Sequence, residues 1–271
     1  MKNKIHELYA LEQLATGSTY IHQLHPLVKL LASAVLIVTV VSFDRYALRW
    51  LIPYIFYPTI LMALSETPYA MLFKRLLIAL PFCLFAGISN VILDRSTAFA
   101  INGITVSYGL LSLFTILFKT YLCVMSVLLL VSVTPFSELT GAMRRLRMPN
   151  IFITMFEITY RYIGLLLYEA YSMYIAYSLR STNKKGIAIR DMGNFIGQLM
   201  IRSFDRADRV YNAMKCRGYA LQGIVKNSKK LQIKDIAFFA TVLLVCMAFR
   251  FMAFRLMDVN RLFTEILGRL L

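Results

Sequence analysis

Long apolar runs separated by short polar segments dominate the chain and predict helices that cross a membrane. A transmembrane helix needs about 20 mainly apolar residues. Five runs approach that length, at residues 27–43, 47–64, 76–93, 106–133, and 236–249 with a few residues beyond. The predicted fold class is therefore all-α, a polytopic membrane protein with about five transmembrane helices.

The fourth run, 106–133, is longer than one span needs and carries Lys119 in its middle. It fits one long tilted helix, or two shorter helices broken near residues 118–120, and the sequence leaves both open. Polar residues fill the segment before it, 94–105 (DRSTAFAINGIT), which predicts a polar loop. A polar hinge is predicted in the same way at 65–75 (SETPYAMLFKR).

Between the fourth and fifth runs, the pattern predicts three helices that do not cross the membrane. The first begins with Thr134 or Ser137 as a cap and closes at Pro149. The second, 151–181, is apolar, but Glu157, Arg161 and Glu169 interrupt it, and Glu157 with Arg161 forms a favourable i, i+4 pair. The third covers 194–219, and Gly218 is placed to end it as the C′ residue.

Composition and charge add an orientation to this picture. The chain is 59% hydrophobic and 16% charged, with a mean hydropathy of +0.63, which excludes an ordinary soluble domain. Residues 134–235 hold seventeen Lys and Arg against seven Asp and Glu. The positive-inside rule then places 134–235 in the cytoplasm, although Arg45 and Arg49 oppose it. The predicted organisation is 1–133 with transmembrane helices one to four, 134–235 with cytoplasmic helices, and 236–271 with the last span and a tail.

Two of these helices end on an arginine just beyond an apolar stripe. Glu169, Met173, Ala176 and Arg180 share one stripe of the second helix, and Arg217 follows the apolar face of the third. A cation near a helix C-terminus interacts favourably with the dipole, by about 0.3–1 kcal/mol, and basic helices lie on anionic lipid. Alternatively, each guanidinium docks bidentately into an acidic groove of a partner. Spacing alone leaves both interpretations open.

Other chemistry is sparse in this sequence. No G-x-x-x-x-G-K-[ST] motif occurs, so that device for cradling a nucleotide is missing. The four cysteines, Cys83, Cys123, Cys216 and Cys246, form no C-x-x-C pair and are expected to be reduced packing residues. The three histidines, His6, His22 and His25, carry imidazoles that suit transition metals, but no third ligand stands near His22 and His25, so interfacial packing is the expected role.

Three stretches and two short arginine motifs resemble those of a known transporter family. The stretches are LATGSTYIHQLHPLVKLL, EITYRYIGLLLYEAYSMYIAYSLRS and RSFDRADRVYNAMKCRGY, and the motifs are Leu179-Arg180-Ser181 and Cys216-Arg217-Gly218. The family is the transmembrane T component of energy-coupling-factor (ECF) transporters, CbiQ type, which serves cobalt uptake. The family usually has Ala-Arg-Gly at both motifs, so Leu179, Ser181 and Cys216 depart from it while both arginines are kept.

This resemblance implies a mechanical scaffold and not an enzyme. The family's T component binds two cytosolic ABC-type ATPase subunits through its two coupling helices and holds a membrane substrate-binding subunit against its spans. It implies that the two arginine motifs dock the ATPases, that partners bind ATP and the metal, and that this chain binds no cofactor. It also implies a bacterial or archaeal cell membrane, a link of cobalt uptake to cobalamin biosynthesis, and no nucleic-acid partner. Nickel and vitamin transporters use related T components and remain alternatives.

Two other classes of membrane protein are weighed against the scaffold. A self-contained secondary transporter usually has ionisable groups inside its spans and internal repeats. Lys119 is the one mid-span charge, and no repeat is visible. A membrane enzyme of lipid metabolism calls for clustered Asp or His at a span mouth, whereas Asp205 and Asp208 form the nearest pair and lie in a basic amphipathic helix.

Overall fold

A computed structural model describes residues 15, 17, 19–94, 97–101, 104–181, 186–219 and 231–270, with side chains in the last helix up to Arg255. The helices are α1 (Tyr20–Gln23), α2 (Pro26–Val41), α3 (Leu48–Leu51), α4 (Phe56–Ser65), α5 (Tyr69–Leu93), α6 (Tyr108–Val133), α7 (Phe136–Arg145), α8 (Asn150–Arg180), α9 (Ile189–Cys216) and α10 (Ile233–Leu270). A 3₁₀ turn, Ile52–Ile55, joins α3 to α4. The described residues form two compact units, 140–219 and 15–139 with 231–270.

Within the described residues, five helical segments are long and apolar enough to cross a membrane, which confirms the predicted number and the all-α class. Four of them overlap predicted spans: Leu48–Ser65, Tyr69–Leu93, Tyr108–Val133 and Ile233–Arg255. The fifth is α8, which the sequence pattern assigned to the cytoplasmic segment. The predicted first span forms only the 16-residue α2.

The segment before α6 differs from the predicted polar loop. Two strands, β1 (Thr97–Ile101) and β2 (Ile104–Ser107), pair antiparallel and lead directly into α6. The sequence carries Asn-Gly between them, a strong hairpin signal that the polar composition concealed. The choice between one and two helices at 106–133 is resolved as one helix, α6.

In the larger unit, α2 is the central helix. It begins where His25 caps it, with the His25 Nδ1 accepting from the Leu27 amide at 3.1 Å and Pro26 in the first turn. Its buried stripe repeats every four residues and packs with α3, α6 and α10 in one apolar core. The stripe consists of Val28, Ala32, Leu36 and Val40. This periodicity buries one face of α2, while Val38 and Val41 stay exposed.

A close approach of backbones joins α5 to α6 at the start of α6. A Cβ added at Gly109 would lie 2.7 Å from the Val91 Cα and 2.8 Å from the Asn90 carbonyl oxygen. The Gly109 amide donates to the carbonyl of Asp94 at 3.2 Å, so the two helices meet where only glycine fits. The α5 and α6 helices then pack along each other through Leu72, Leu76, Met125 and Leu129.

Two cations inside apolar runs converge on the end of α2. Lys119 Nζ donates to the carbonyls of Phe43 and, at 3.4 Å, Val41. The Arg250 guanidinium donates to the carbonyl and the hydroxyl of Ser42 at 3.3 and 3.1 Å, and it lies 4.5 Å from the Phe43 ring centroid. A helix C-terminus exposes unpaired carbonyls that cations stabilise. Lys119 and Arg250 therefore serve as partners for the α2 terminus.

At the other end of α2, a buried polar cluster joins α1, α6 and α10. Lys29 is 6% exposed, and its Nζ donates to the carbonyls of His22 and Val133, both at 3.2 Å. Asp235, which is 4% exposed, accepts from the amides of His25 at 2.9 Å and Gln232 at 2.8 Å. These bonds pair backbone groups that helix ends leave unsatisfied, and so they lock the three helices together.

Candidate functional site

The two arginine-tipped helices, α8 and α9, form an antiparallel pair in the smaller unit. Near the turn between them, the Tyr177 hydroxyl donates to the Asp191 carboxylate at 2.8 Å. The Ala188 amide donates to the same hydroxyl at 3.3 Å. One tyrosine near the end of α8 therefore holds the start of α9 through two hydrogen bonds.

Farther along the pair, one carboxylate on α8 holds two arginines of α9. Glu169 accepts from Arg202 at 3.4 Å and from Arg206 at 3.2 Å. The Glu169 side chain is only 18% exposed, so solvent screens these charges less than it does at an open surface. The ion pairs fix the register of the two helices. The sequence pattern placed Glu169 on the right stripe but gave it no partner.

A second carboxylate of α8 contacts the helix before it. Glu157 was expected to pair with Arg161 on its own helix, and this expectation is wrong. Its Oε1 accepts from the Thr140 hydroxyl at 3.0 Å and lies 3.8 Å from the Arg144 guanidinium, both on α7. A neighbouring helix supplies a hydroxyl and a cation together, which the i, i+4 rule cannot anticipate.

The end of α9 has a defined backbone geometry around Arg217. Gly218 has a left-handed φ of +63°, and its amide donates to the Lys215 carbonyl at 3.0 Å. The Tyr219 amide donates to the Met214 carbonyl at 3.0 Å. These two bonds form a Schellman motif, which confirms Gly218 as the C′ residue and makes Arg217 the cap. Cys216 and Arg217 are exposed at this tip.

The end of α8 presents Arg180 as the last helical residue. The Ser181 amide donates to the Tyr177 carbonyl at 2.9 Å, and Leu179 beside it is 82% exposed. Arg180 is exposed as well. Within the described residues, neither Arg180 nor Arg217 forms an ion pair or a side-chain hydrogen bond. Both guanidiniums therefore keep all their donors available.

The structure does not bring the two arginines together. Because α8 and α9 run antiparallel, Arg180 lies at the end where Tyr177 meets Asp191, and Arg217 lies at the opposite end. The 28 residues of α9 rise about 42 Å at 1.5 Å per residue, so the two tips are roughly 40 Å apart. The sequence pattern identifies both arginines, but it does not give this separation, which depends on the direction in which α8 and α9 pack.

The histidines considered as metal ligands have structural contacts. The His22 Nδ1 is hydrogen-bonded to the Thr19 hydroxyl, and His25 caps α2. His6 lies outside the described residues. No group of three or more His, Cys, Asp or Glu side chains that could hold a metal occurs in the part of the chain that the structure describes.

The four cysteines are free thiols, and three of them are at least partly buried. Cys246 lies in the core, and the Cys83 thiol donates to the Thr120 hydroxyl at 3.3 Å. Cys216 departs from the expected packing role because it is exposed next to Arg217. Cysteine counts as a hydrophobic residue in the composition, but its position at the tip of α9 leaves the Cys216 side chain exposed.

Comparison with known proteins assigns most of the chain to one family. Residues 17–231 match the family model described as CbiQ, cobalt transport protein. The chain is also 32% identical to an uncharacterized protein of Methanocaldococcus jannaschii over 193 residues, which are 66% of this chain. The match spans 65% of that relative, just under two thirds of its length. The family resemblance found in the motifs is confirmed, and the matched range includes both Arg180 and Arg217.

Proposed function

We propose, from the premise that this chain belongs to the CbiQ family of cobalt transport proteins, that it is the transmembrane scaffold of an ECF-type transporter. The chain is a multi-pass membrane protein and a cobalt transport component. As a scaffold it would join two cytosolic ABC-type ATPase subunits to a membrane substrate-binding subunit. The observation that carries this proposal is the pair of exposed arginines at opposite ends of α8 and α9.

The separation of the arginines supports one ATPase subunit at each tip. A guanidinium presents five donors in a planar fork that binds a carboxylate bidentately. Arg180 and Arg217 lie roughly 40 Å apart along α9, which rises 1.5 Å per residue. Two tips at that distance provide two independent docking points. ATP-driven closure of the ATPase pair would then pull on both ends of one helical pair and reorient the substrate-binding subunit.

The proposal places α8 and α9 at the cytoplasmic face, although α8 is long enough to cross the bilayer. A crossing α8 would carry Glu157, Arg161 and Glu169 into lipid, where a charged residue at a helix centre costs about 2.5–3.5 kcal/mol or more. The partners of Glu169 lie on α9, which has no buried residues and is not apolar enough to span. Residues 134–235 hold seventeen basic and seven acidic residues, and this surplus of positive charge favours a cytoplasmic location for the segment.

Labelling with a membrane-impermeant thiol reagent tests this orientation. In a cysteine-free background, Ile189→Cys at the start of α9 is expected to stay unlabelled in intact cells, because the side chain is 94% exposed but faces the cytoplasm. The matched site is Arg45→Cys in the exposed loop after α2, which is expected to react from outside. Efficient external labelling at Ile189→Cys would mean that α8 crosses the bilayer and would contradict the proposed placement.

In this proposal the chain is not an enzyme and binds no cofactor of its own. The sequence carries no phosphate-cradling P-loop motif, so ATP would be bound and hydrolysed by the partner subunits. Cobalt ion is the proposed cargo, held by the substrate-binding subunit. Lys119 gives no support to a secondary transporter, because its ammonium is used at the α2 terminus.

Assembly with partner subunits tests the scaffold role directly. The purified chain is expected to hydrolyse no ATP and to form a complex with two ATPase subunits and one substrate-binding subunit, counted by native mass spectrometry. Proteoliposomes that contain this complex are expected to take up cobalt only when ATP is present inside them, on the side of the ATPase subunits. Uptake of nickel is measured for comparison. Solute uptake by the chain alone, in liposomes without ATPases, would contradict the scaffold.

A further inference from the structure

One residue in the turn between α7 and α8 adopts a left-handed conformation that favours glycine. The Arg147 amide donates to the Arg144 carbonyl at 3.2 Å. The Met148 amide donates to the Met143 carbonyl at 3.4 Å. These two bonds form a Schellman motif like the one that ends α9, with Arg147 at the C′ position and a φ of +61°. The two helix ends therefore share one geometry, but α9 uses Gly218 there and α7 uses an arginine.

The Arg147 side chain is open to the surroundings of the protein. It is exposed, and within the described residues it forms no ion pair and no side-chain hydrogen bond. Arg144 differs, because its guanidinium lies 3.8 Å from Glu157. Glycine would adopt the left-handed turn without strain, so the stability of the fold does not explain an arginine at this position. Strained residues cluster at binding sites, which makes Arg147 a candidate for contact with a partner outside the chain.

Basic and apolar side chains are exposed together around this turn. Arg145 and Leu146 precede Arg147, and both are exposed. Ile151 and Phe152, in the first turn of α8, are 45% and 52% exposed. These five residues are called the α7–α8 corner. Arginines beside exposed leucine and phenylalanine side chains are typical of segments that lie at the surface of an anionic membrane.

We propose that the α7–α8 corner rests on the cytoplasmic leaflet of the membrane, with Arg147 at the phosphate of an anionic phospholipid. Only Thr134 and Pro135 separate α6 from α7, so α7 begins where its span leaves the bilayer. The ten residues of α7 rise about 15 Å, a length over which the helix follows the membrane surface. The negative surface potential of the cytoplasmic leaflet complements the exposed arginines. This inference rests on the cytoplasmic location of 134–235 in the proposed function.

A lipid surface suits the corner better than an acidic groove of a protein. A groove that binds one guanidinium bidentately selects for a single arginine, whereas a lipid surface accepts neighbouring cations and apolar side chains together. Contact at headgroup level requires only α7 and the first turn of α8 at the membrane surface. The charges farther along α8, at Glu157, Arg161 and Glu169, then stay out of the hydrocarbon core.

Fluorescence quenching in nanodiscs tests the lipid contact. The full chain, free of its own cysteines, carries an environment-sensitive dye at Asn150→Cys, an exposed position inside the turn and outside the corner residues. The nanodiscs contain phosphatidylcholine alone or mixed with phosphatidylglycerol, with a trace of lipid that is spin-labelled at the headgroup as the quencher. We expect phosphatidylglycerol to increase the quenching, because it draws the corner onto the membrane surface. Equal quenching in the two lipid mixtures would overturn the proposal.

Substitutions at Arg147 separate the lipid contact from a role in the fold. Arg147→Gly removes the cation and relieves the left-handed strain. It is expected to lower the ratio of docked to undocked corner about fivefold, the equivalent of about 1 kcal/mol for one cation near an anionic surface, without lowering the Tm. Arg147→Lys keeps the charge and is expected to keep the quenching. The matched control is Arg209→Gln, which removes an exposed cation of α9 and is expected to leave the quenching unchanged.

Three results of these variants would contradict the lipid contact. Quenching that survives Arg147→Gly, or that falls equally in Arg209→Gln, would remove Arg147 from the contact. A loss in Arg147→Lys as large as in Arg147→Gly would assign the guanidinium to a bidentate groove of a protein. A lower Tm in Arg147→Gly would assign the side chain to the fold. The nanodiscs contain no ATPase subunit, so the result is independent of the docking proposed for Arg180 and Arg217.

Discussion

Reversing the charge of both arginine tips, with Arg180→Glu and Arg217→Glu in one variant, is expected to abolish ATPase assembly and ATP-driven uptake. Each arginine that docks in an acidic groove leaves an unpaired, desolvated carboxylate when it is removed, at a cost of about 2–5 kcal/mol that appears mainly in dissociation. One loss of that size weakens binding by roughly 30-fold to several thousand-fold. The measurement is ATPase affinity by surface plasmon resonance, together with cobalt uptake in proteoliposomes.

Single substitutions separate docking from the dipole interpretation. Arg→Lys at either tip is expected to rescue only part of the affinity, because an ammonium cannot reproduce the bidentate fork. Arg209→Glu is the surface control, since Arg209 is exposed on α9 away from both tips. If the arginines act only on helix dipoles, Lys replaces Arg nearly fully and Ala costs about 1 kcal/mol or less. Unchanged assembly in the double reversal variant would remove both residues from the mechanism.

Replacing the buried lysine with Lys29→Met is expected to lower the stability of the bundle by about 2–6 kcal/mol. The Lys29 Nζ serves the carbonyls of His22 and Val133, and each buried carbonyl left unsatisfied costs about 1–3 kcal/mol. Methionine keeps much of the length and the apolar stem while removing the donors. Thermal unfolding in detergent, followed by circular dichroism, is expected to show a Tm lowered by several degrees.

A matched lysine lies close to the same cluster in the sequence. Lys234→Met is the control variant, because Lys234 is a lysine next to Asp235 but is exposed. Its replacement is expected to leave the Tm unchanged. If both variants lower the Tm equally, loss of positive charge and not loss of the buried donors explains the effect. If neither does, the carbonyls find other donors and the locking role of Lys29 is wrong.

Much of the membrane part of the fold could be predicted because hydropathy reports apolar length directly. Predicted spans two to five correspond to helical segments. The α6 helix is continuous through Lys119, whose backbone stays helical while its side chain reaches the end of α2. The β1–β2 hairpin was not predicted, because the polar composition of 94–105 masks the turn signal of its Asn-Gly pair. The bounds of α8 agree with the helix predicted at 151–181, but its hydropathy reaches the range of a membrane span because its isoleucines and leucines surround only a few charges.

The candidate site was predictable residue by residue but not as an arrangement. Arg180, Arg217 and the C′ role of Gly218 follow from local capping patterns. The antiparallel packing depends on Glu169 reaching Arg202 and Arg206, which are more than thirty positions away, and no local rule gives that distance. An open groove between α8 and α9 depends on the same packing and could not be predicted for the same reason.

Because α2 is short, the conformation of this bundle depends on the thickness of the bilayer around it. Its 16 residues rise about 24 Å, against a hydrocarbon core of about 30 Å and about 38 Å for the 25 residues of α5. Lys119 and Arg250 draw polar groups down to the depth at which α2 ends, beside the exposed Val41. The membrane around α2 has to thin, and this response stores elastic energy. Lipids with shorter acyl chains relieve that hydrophobic mismatch, so membrane composition tunes the strain under which the bundle works.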